Sequence, residues 1–415
     1  MVMVDLIVDK QQSGAAGKGV PAGWLQCKLG DVLTLQRGFD LPQRLRKEGN
    51  IPIISSSGES GWHNNAIVSP PGIVTGRYGT IGEVFFIDKP FWPLNTTLYV
   101  REFKGITPSY AYFLLKTVDF QSHSGKSGVP GVNRNDVHQE NILLPPIKEQ
   151  IAITTTLSNI DELISALERL LSKKQAIKTA TMQQLLTGKT RLPQFALRED
   201  GAAKGYQKSE LGEIPEDWTV TLLNDVIDSC SSGATPYRGI SEYYKGNNRW
   251  ITSGELNYCV INDTIEKISD SAIKYTNLKI HPAGTFLMAI TGLEAAGTRG
   301  ACGIVGKPSA TNQSCMAIYP NNKLDSNYLY HWYVYNGDTL AFKYCQGTKQ
   351  LSYTAGLIRK IPLFLPTDKK EQTAIAAILS DMDKDIQTLQ QRLEKTRQLK
   401  QGMMQELLTG KTRLI

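Results

Sequence analysis

Apolar residues recur along two stretches of the chain at alternating spacings of three and four. The ten positions are Leu157, Ile160, Ile164, Leu167 and Leu171 in the first stretch and Leu379, Met382, Ile386, Leu389 and Leu393 in the second. Such spacing places each set on one face of an α-helix as an a/d seam, which needs a partner along its whole length. A helix of about 40 residues is about 60 Å long, longer than a domain of this size can cover. We therefore predict that the two helices pack on each other; the alternative is that each packs on its own globular domain.

The two stretches belong to an internal repeat. Shifting the sequence by 222 positions aligns Lys148–Pro193 with Lys370–Ile415, and 23 of these 46 pairs are identical. A second match, at an offset of 194, pairs Pro21–Val32 with Pro215–Val226 through shared Pro, Trp, Leu, Asp and Val residues. The chain is therefore interpreted as two copies of one module, each with a globular part followed by a helix.

The globular parts alternate short apolar runs with glycine turns, which predicts a mixed α/β fold with many short strands. A helical pattern then follows in each, and after it a polar, glycine-rich loop. The predicted order is a flexible N-terminal arm (1–20), a first globular domain (21–147), a first helix (148–190), a linker (191–213), a second globular domain (214–368) and a second helix (369–415).

The segment "LLTGKTRL" occurs twice, at Leu185–Leu192 and at Leu407–Leu414, and contains the Gly-Lys-Thr of a phosphate-binding loop. That loop needs a first glycine five positions earlier, where this chain has Gln183 and Gln405. A nucleotide site is therefore excluded. The segment instead predicts a helix stop, with Gly188 and Gly410 just past the helix ends and basic residues near the negative end of the dipole.

Composition is that of an ordinary globular protein, with 41% hydrophobic and 20% charged residues, a net charge of +7 and a pI near 8.9. This charge permits an acidic partner such as nucleic acid, although many basic proteins bind none. Six cysteines without a C-x-x-C pair and five scattered histidines predict neither a zinc site nor a disulfide framework. The sequence has no apolar run long enough to predict a membrane span, and the N-terminus does not resemble a signal peptide. We expect a reduced, cytoplasmic setting.

Catalytic motifs are missing from the sequence. It has no [Asp/Asn]-Pro-Pro-[Tyr/Phe] adenine clamp, no nucleophile elbow and no glycine-rich dinucleotide loop. The polar loops instead offer basic, amide and aromatic side chains: Arg77, Tyr78, Lys126, Asn133 and Arg134 in the first module, and Arg299, Lys349, Gln350, Tyr353 and Arg359 in the second. Such side chains suit DNA, because Arg pairs with guanine, Asn and Gln pair with adenine, and Lys and Arg neutralise phosphates. The alternative for each residue is ordinary loop surface.

Several segments together resemble the specificity (S) subunit of type I restriction–modification systems. They are "GYQKSELGEIPEDW" at the opening of the second module, "LLPPIKEQ" and "LPTDKKEQ" at the end of each globular part, and the repeated "LLTGKTRL". With the two-module order, the resemblance covers the chain from about Pro21 to Ile415.

The resemblance implies two target-recognition domains that each read one half of a split DNA site. It implies that the two helices form an antiparallel coiled coil that separates the domains with pseudo-two-fold symmetry. The implied partners are double-stranded DNA, two modification subunits that use S-adenosylmethionine to methylate adenine, and two restriction subunits that use ATP and Mg. The chain itself is expected to hold no cofactor or metal, to catalyse nothing and to contact no membrane. The alternatives are an autonomous enzyme and a stand-alone sequence-specific DNA-binding regulator.

Overall fold

The structure is a computed structural model that describes residues 20–125, 131–209, 212–293, 299–345 and 352–414. The chain divides into two compact units. Unit 1 combines the residues up to Glu168 with those from Gln391 onward, and unit 2 is the continuous stretch Arg169–Gln390. Both boundaries fall inside the long helices, so each unit holds one globular domain and part of each helix. The predicted N-terminal arm lies outside the described residues apart from Val20.

Domain 1, the globular part of unit 1, contains nine short strands and three short α-helices among its described residues, together with one turn of 3-10 helix over Gln43–Leu45. In chain order they are β1 (Leu25–Lys28), α1 (Leu29–Val32), β2 (Leu33–Arg37), β3 (Ile51–Ser55), β4 (Gly58–His63), β5 (Gly72–Gly76), β6 (Val84–Ile87), β7 (Trp92–Pro93), β8 (Thr97–Phe103), α2 (Pro108–Leu115), α3 (Arg134–His138) and β9 (Asn141–Leu144). The first long helix, α4, follows over Ile147–Leu185.

Domain 2, the globular part of unit 2, follows α4 and precedes the second long helix. Its elements are β10 (Tyr206–Ser209), β11 (Gly212–Pro215), β12 (Trp218–Leu222), β13 (Ile227–Ser232), β14 (Asn248–Ile251), β15 (Cys259–Ile261), β16 (Lys267–Ile268), α5 (Asp270–Thr276), β17 (Phe286–Ala289), β18 (Cys302–Val305), β19 (Ser309–Thr311), β20 (Cys315–Pro320), α6 (Ser326–Tyr344), α7 (Ala355–Arg359) and β21 (Pro362–Pro366). The second long helix, α8, runs over Lys369–Leu407. Both long helices end before the boundaries predicted at 190 and 415, because a turn follows each of them.

The two domains share one strand topology. The larger sheet has the order β2-β8-β5-β6 in domain 1 and β13-β20-β17-β18-β15 in domain 2, where β15 is the added strand. The smaller sheets, β4-β3-β7 and β16-β14-β19, also correspond, since each central strand has one antiparallel and one parallel neighbour. Little sequence identity connects the globular parts, yet they repeat one fold. The predicted mixed α/β class and two-module organisation are confirmed.

The glutamine of the repeated Lys-Glu-Gln segment ties each long helix to its own domain. Gln150 Oε1 accepts a hydrogen bond from the backbone N of Thr107 at 2.8 Å, and Gln372 Oε1 accepts one from the backbone N of Asp325 at 2.9 Å. Thr107 and Asp325 are the N-caps of α2 and α6. Because both glutamines are buried, these bonds give their side-chain oxygens a partner in the interior.

The end of each long helix enters the core of the domain encoded by the other module. Leu407 and Leu408, at the end of α8, lie in the apolar cluster of domain 1. Met182, Leu185 and Leu186, at the end of α4, lie in that of domain 2. Full burial of such a side chain contributes about 1.5–3 kcal/mol. Each domain core is therefore completed by the helix end of the other module. This segment is distant in sequence for domain 1, whereas for domain 2 it lies just before the domain.

Within unit 1 the two long helices pack in antiparallel directions. Lys400 Nζ lies 2.5 Å from Asp161, and Arg397 lies 2.6 Å from Glu168. Residue numbers thus rise along α4 as they fall along α8. The implied antiparallel pairing is confirmed for this unit.

Unit 2 has the same arrangement of its helix segments. Lys174 Nζ lies 3.0 Å from Asp385, and Lys178 forms an ion pair with Asp383. The direction is again antiparallel.

One of these ion pairs is repeated. Asp161 and Lys178 of α4 correspond, at the offset of 222, to Asp383 and Lys400 of α8. Asp161 pairs with Lys400, and Asp383 pairs with Lys178. Each helix therefore contributes one aspartate and one lysine, and each pairs with the opposite charge on the other helix. Because both pairs form together in only one register of the antiparallel helices, they favour that register over shifted ones.

The predicted seam residues divide into two groups. Leu167, Ile386 and Leu393 are buried along the helices, whereas Leu157 and Leu379 are fully buried within the domain clusters. The partly buried members are Ile160, Ile164, Leu171, Met382 and Leu389. Helix pairing and packing on the globular domain, which we treated as alternatives, therefore both occur.

Candidate nucleic-acid interface

The structure brings together four of the residues predicted to contact DNA in domain 1. The backbone N of Val132 donates to the carbonyl O of Arg77 at 3.0 Å, which joins the loop after β5 to the segment before α3. The Arg77 guanidinium lies 4.5 Å from the centre of the Tyr78 ring. Asn133 and Arg134 follow directly and are exposed. The fifth residue, Lys126, lies outside the described residues.

Asn133 also has a structural role. Its side-chain O accepts a hydrogen bond from the backbone N of Asn135 at 3.0 Å and so caps α3. The cap uses one of the two lone pairs of this oxygen and restrains the side chain, so Asn133 could read adenine only from its capping orientation.

The two predicted arginines of domain 2 already have partners in the domain. Arg299 Nε lies 3.1 Å from Asp338, and Arg359 donates to the side chain of Asn224 at 2.9 Å. A phosphate or base would have to compete with these contacts. Lys349 and Gln350 lie outside the described residues.

The prediction that Tyr353 contacts DNA is wrong for this structure. Its side chain is only 3% exposed and lies in the apolar cluster of domain 2, and burial raises the pKa of its hydroxyl. Its backbone N donates to the carbonyl of Ile290 at 2.9 Å, which holds the residue beside β17. Polar flanking residues suggested a surface loop, but tertiary packing buries the ring.

The repeated motifs meet at a junction in unit 1. Arg413, from the second "LLTGKTRL", donates to both carboxylate oxygens of Glu149 at 2.6 and 2.8 Å. The indole N of Trp24, from the P-x-x-W opening, donates to the same carboxylate at 2.9 Å, and the guanidinium lies 5.7 Å from the ring centre. The hydrogen bond from Arg413 holds the pKa of the Glu149 carboxyl below its ordinary value.

Unit 2 contains the equivalent junction. Arg191 donates twice to Glu371, both at 2.7 Å, and Trp218 donates to Glu371 at 3.2 Å. Arg191 also donates to both oxygens of Asp217, at 2.7 and 3.1 Å. The Arg191 and Glu371 side chains are 7% and 2% exposed, so neither charge could lose its partner without a large cost.

The two glycines of the repeated segment form the turn that makes each junction possible. Gly188 and Gly410 have φ values of +70° and +69°, a left-handed conformation that favours glycine. A Cβ atom would lie 2.5 Å from Pro215 at Gly188 and 2.4 Å from Pro21 at Gly410. The predicted helix stop is confirmed, and a helix rather than a strand precedes each segment.

The described part of the chain contains no group of three or more His, Cys, Asp or Glu residues placed to hold a metal ion. Among the same residues, no helix is long and apolar enough to span a membrane.

Comparison with protein families identifies the repeated module. The model of the type I restriction modification DNA specificity domain matches twice, over residues 21–179 and 215–398. The chain belongs to this family.

Individual relatives agree with the assignment. The type I restriction enzyme MjaVIII specificity subunit of Methanocaldococcus jannaschii is 26% identical over 345 residues, which cover 80% of this chain and 77% of that protein. The EcoDI specificity subunit of Escherichia coli is 21% identical over 346 residues, covering 78% of this chain and 72% of that protein. The crystal structure of the S subunit from M. genitalium has a TM-score of 0.64 at 14% identity, covers 94% of this chain and 97% of that one, and so supports the fold.

In this member of the DNA specificity family, two exposed segments escaped the sequence analysis. They are the loops after β2 and β13, which contain Pro42-Gln43-Arg44 and Pro236-Tyr237-Arg238. The offset of 194 that aligns the module openings also aligns these loops. Extending that alignment past Val32 would have identified them.

Proposed function

We propose that the chain is the DNA-recognition subunit of a type I restriction–modification complex, in which each globular domain reads one half of a bipartite DNA site. The observation that carries this proposal is the doubled module. Two domains of one topology, each matching the DNA specificity model, follow one another with diverged surfaces on a repeated pair of helices. Two different reading domains require a target with two different halves.

We propose that catalysis belongs to partner subunits. Two modification subunits would supply S-adenosylmethionine and methylate adenine, and two restriction subunits would use ATP and Mg to translocate and cut DNA. The missing adenine clamp and phosphate-binding loop support this division. The complex would act on double-stranded DNA in the cytoplasm.

The long helices would have two roles in such a complex. They would carry the modification subunits, and their length would set the spacer between the half-sites. The repeated Asp–Lys pairs support the second role, because they favour a fixed register and hence a fixed length.

Co-expression with the modification subunits tests the proposal. Cells that produce the full chain and these subunits should acquire N6-methyladenine in one bipartite motif, detected by genome-wide mapping of methylated bases. Omission of this chain should abolish methylation at the motif. The alternative, a stand-alone regulator, predicts that the chain binds its site but does not co-purify with methyltransferase subunits.

A further inference from the structure

The loops after β2 and β13 occupy equivalent places in the two domains. The backbone N of Phe39 donates to the carbonyl of Pro93 at 2.8 Å, and the backbone N of Ala234 donates to that of Thr311 at 3.1 Å. In both domains the acceptor carbonyl lies at the end of a strand of the smaller sheet, β7 in domain 1 and β19 in domain 2. Each of these strands runs parallel to the central strand of its sheet. Both loops then reach the sequence Pro-x-Arg.

The loop of domain 2 is held rigidly at its base. The indole N of Trp250 donates to the carbonyl of Ala234 at 3.2 Å, and the Tyr244 hydroxyl donates to that of Pro236 at 2.5 Å. Arg238 donates to both oxygens of Glu266, at 2.5 and 2.8 Å, and lies over the Tyr244 ring. The conformation of the loop is therefore fixed before any ligand binds.

This rigid loop exposes apolar side chains. Tyr237, next to Arg238, is 73% exposed, and Ile265, next to Glu266, is 89% exposed. The Arg238–Glu266 pair thus connects two exposed apolar side chains. The backbone N of Ile265 donates to Glu255 at 2.9 Å, so this turn is fixed as well.

Domain 1 presents a related surface at the same place. Leu45 is 56% exposed beside the exposed Arg44. The backbone N of Lys47 donates to the His63 ring at 3.1 Å, which joins the loop to β4. On β4, Trp62 is 47% exposed. Within the described ranges, neither Arg44 nor Lys47 forms an ion pair with a carboxylate, so both charges are available to a polyanion.

A single exposed apolar residue on a protein surface needs no special explanation. Here, however, two domains that have lost most of their sequence identity both keep an arginine and large exposed apolar side chains at one topological position. The residues differ between the copies while the position does not. Such a pattern fits surfaces that bind the same kind of partner but distinguish different sequences in it.

We propose that these two Pro-x-Arg loops, with the adjacent outer strand or turn of the smaller sheet, read the bases of the two half-sites. The proposal rests on the proposed function and assigns its specificity to Arg44, Leu45 and Trp62 in domain 1 and to Tyr237, Arg238 and Ile265 in domain 2. Arginine bonds to the O6 and N7 atoms of guanine, and apolar groups contact the thymine methyl group. Arg238 already donates to Glu266 through both terminal nitrogens, so a guanine would have to compete with this pair. Glu266 can accept a bond from cytosine N4 while it holds Arg238.

The test selects bound duplexes from a random-sequence pool, using the full chain purified in its complex. The first two variants are Tyr237→Ala and Arg44→Ala. Matched comparison variants are Phe342→Ala and Arg101→Ala. Phe342 is 77% exposed in domain 2 and lies outside the proposed loop. Arg101 is exposed on β8 of domain 1 and also lies outside the proposed loop.

Tyr237→Ala should reduce affinity for the wild-type site about tenfold and relax one or more positions in one half-site only. Arg44→Ala should relax a guanine position in the other half-site. Neither comparison variant should alter the selected motif. Unchanged motifs in Tyr237→Ala and Arg44→Ala, with a normal bipartite motif for the wild type, would overturn the inference and leave the proposed function intact. A wild-type complex that selects no motif would overturn both.

Discussion

Arg413 donates two hydrogen bonds to Glu149, although 264 positions separate them in the chain. The contact joins the segment after one long helix to the first turn of the other, with Trp24 as the third member. Arg191 and Glu371 repeat it in unit 2. These clusters explain why the P-x-x-W, Lys-Glu-Gln and "LLTGKTRL" motifs are shared by the two modules: all three meet at one place.

Substitution of the junction arginines should destabilise the units unequally. Arg191→Ala leaves Glu371 buried without its cation, so we expect a loss of about 3–5 kcal/mol in the free energy of unfolding of unit 2. Arg413 is 24% exposed, and water can partly replace it, so Arg413→Ala should cost less. Urea unfolding followed by tryptophan fluorescence measures both. Equal losses would contradict the role assigned to burial.

A lysine should not restore the junction in unit 2. Arg191 binds two carboxylates through a planar fork, and an ammonium group cannot reproduce that geometry. Arg191→Lys should therefore recover less than half of the free energy of unfolding that is lost in Arg191→Ala. Arg198→Ala is a suitable control, since its ion pair with Glu216 is exposed and water screens such pairs, so its loss should change the stability little.

Alanine at the two turn glycines should destabilise the protein, whereas alanine at a third glycine should not. Gly188→Ala and Gly410→Ala place a Cβ atom against a proline in a left-handed turn, and each should cost about 1–3 kcal/mol. Gly402 lies within α8, and a Cβ atom added there would meet no other atom within 4 Å. Gly402→Ala should therefore stabilise the helix by up to about 1 kcal/mol. Thermal unfolding of the three variants checks the difference in sign.

The sequence predicted the features that depend on periodicity and identity. The long helices and their pairing follow from apolar spacing and from 23 identical pairs in the aligned helices. The equivalence of the two domains could not be read in the same way, because β-strand pairing tolerates wide substitution when the inward and outward pattern is kept. Likewise, local composition around Tyr353 predicted an exposed loop, and only tertiary packing reveals that its ring is buried.

Half-molecules provide a test of the repeated Asp–Lys pair. Residues 1–192 carry Asp161 and Lys178, so two copies can form both pairs across a two-fold axis, and we expect this fragment to self-associate and to bind a symmetric site. Asp161→Lys and Lys178→Asp should each weaken self-association, since like charges then face each other. A mixture of the two variants should associate again, because both pairs become complementary. Analytical ultracentrifugation at micromolar concentration measures this; a mixture that remains monomeric would refute the pairing.

Removal of one heptad from each long helix tests the proposed ruler. Deletion of Ile164–Leu170 and Ile386–Arg392 keeps the apolar register and spares both Asp–Lys pairs, while each helix shortens by about 10 Å. With a rise of about 3.4 Å per base pair, the spacer should lose about two to three base pairs, and the half-sites should not change. Affinity should also fall, because the half-sites rotate around the DNA axis by about 35° per pair. Selection of bound sites from random DNA measures the spacer. An unchanged spacer would show that the helices do not set its length.

Acid should destabilise unit 2 through two buried histidines. Burial, followed by the nearby charge of Lys178, lowers the pKa of His331 to about 3, and burial with Lys279 lowers that of His281 to about 4. An unfolded histidine has a pKa near 6.5 and takes up a proton as the pH falls, whereas these two remain neutral in the folded protein. Their contribution to the free energy of unfolding is therefore fully present above about pH 6.5 and is lost as the pH falls towards 4. At pH 5 the loss is about 2 kcal/mol for each histidine.

The measurement is the change in the free energy of unfolding between pH 7.5 and pH 5. His331→Gln keeps a hydrogen-bonding group near Ser380 but does not titrate, so its pH dependence should be smaller than that of the wild type, whatever its absolute stability. An identical pH dependence would show that His331 is not the titrating group.

The division of the chain also determines the order in which the units are completed on the ribosome. Unit 2 is one continuous stretch, but unit 1 needs the residues from Gln391 onward. At 5–20 residues per second, synthesis of the intervening stretch of about 220 residues takes roughly 10–45 s. During this time domain 1 lacks Leu407 and Leu408, and the site on its core that they fill faces water. The first domain to be made is thus the last to be finished, and newly synthesised chains are most exposed to aggregation and chaperone capture at that open site.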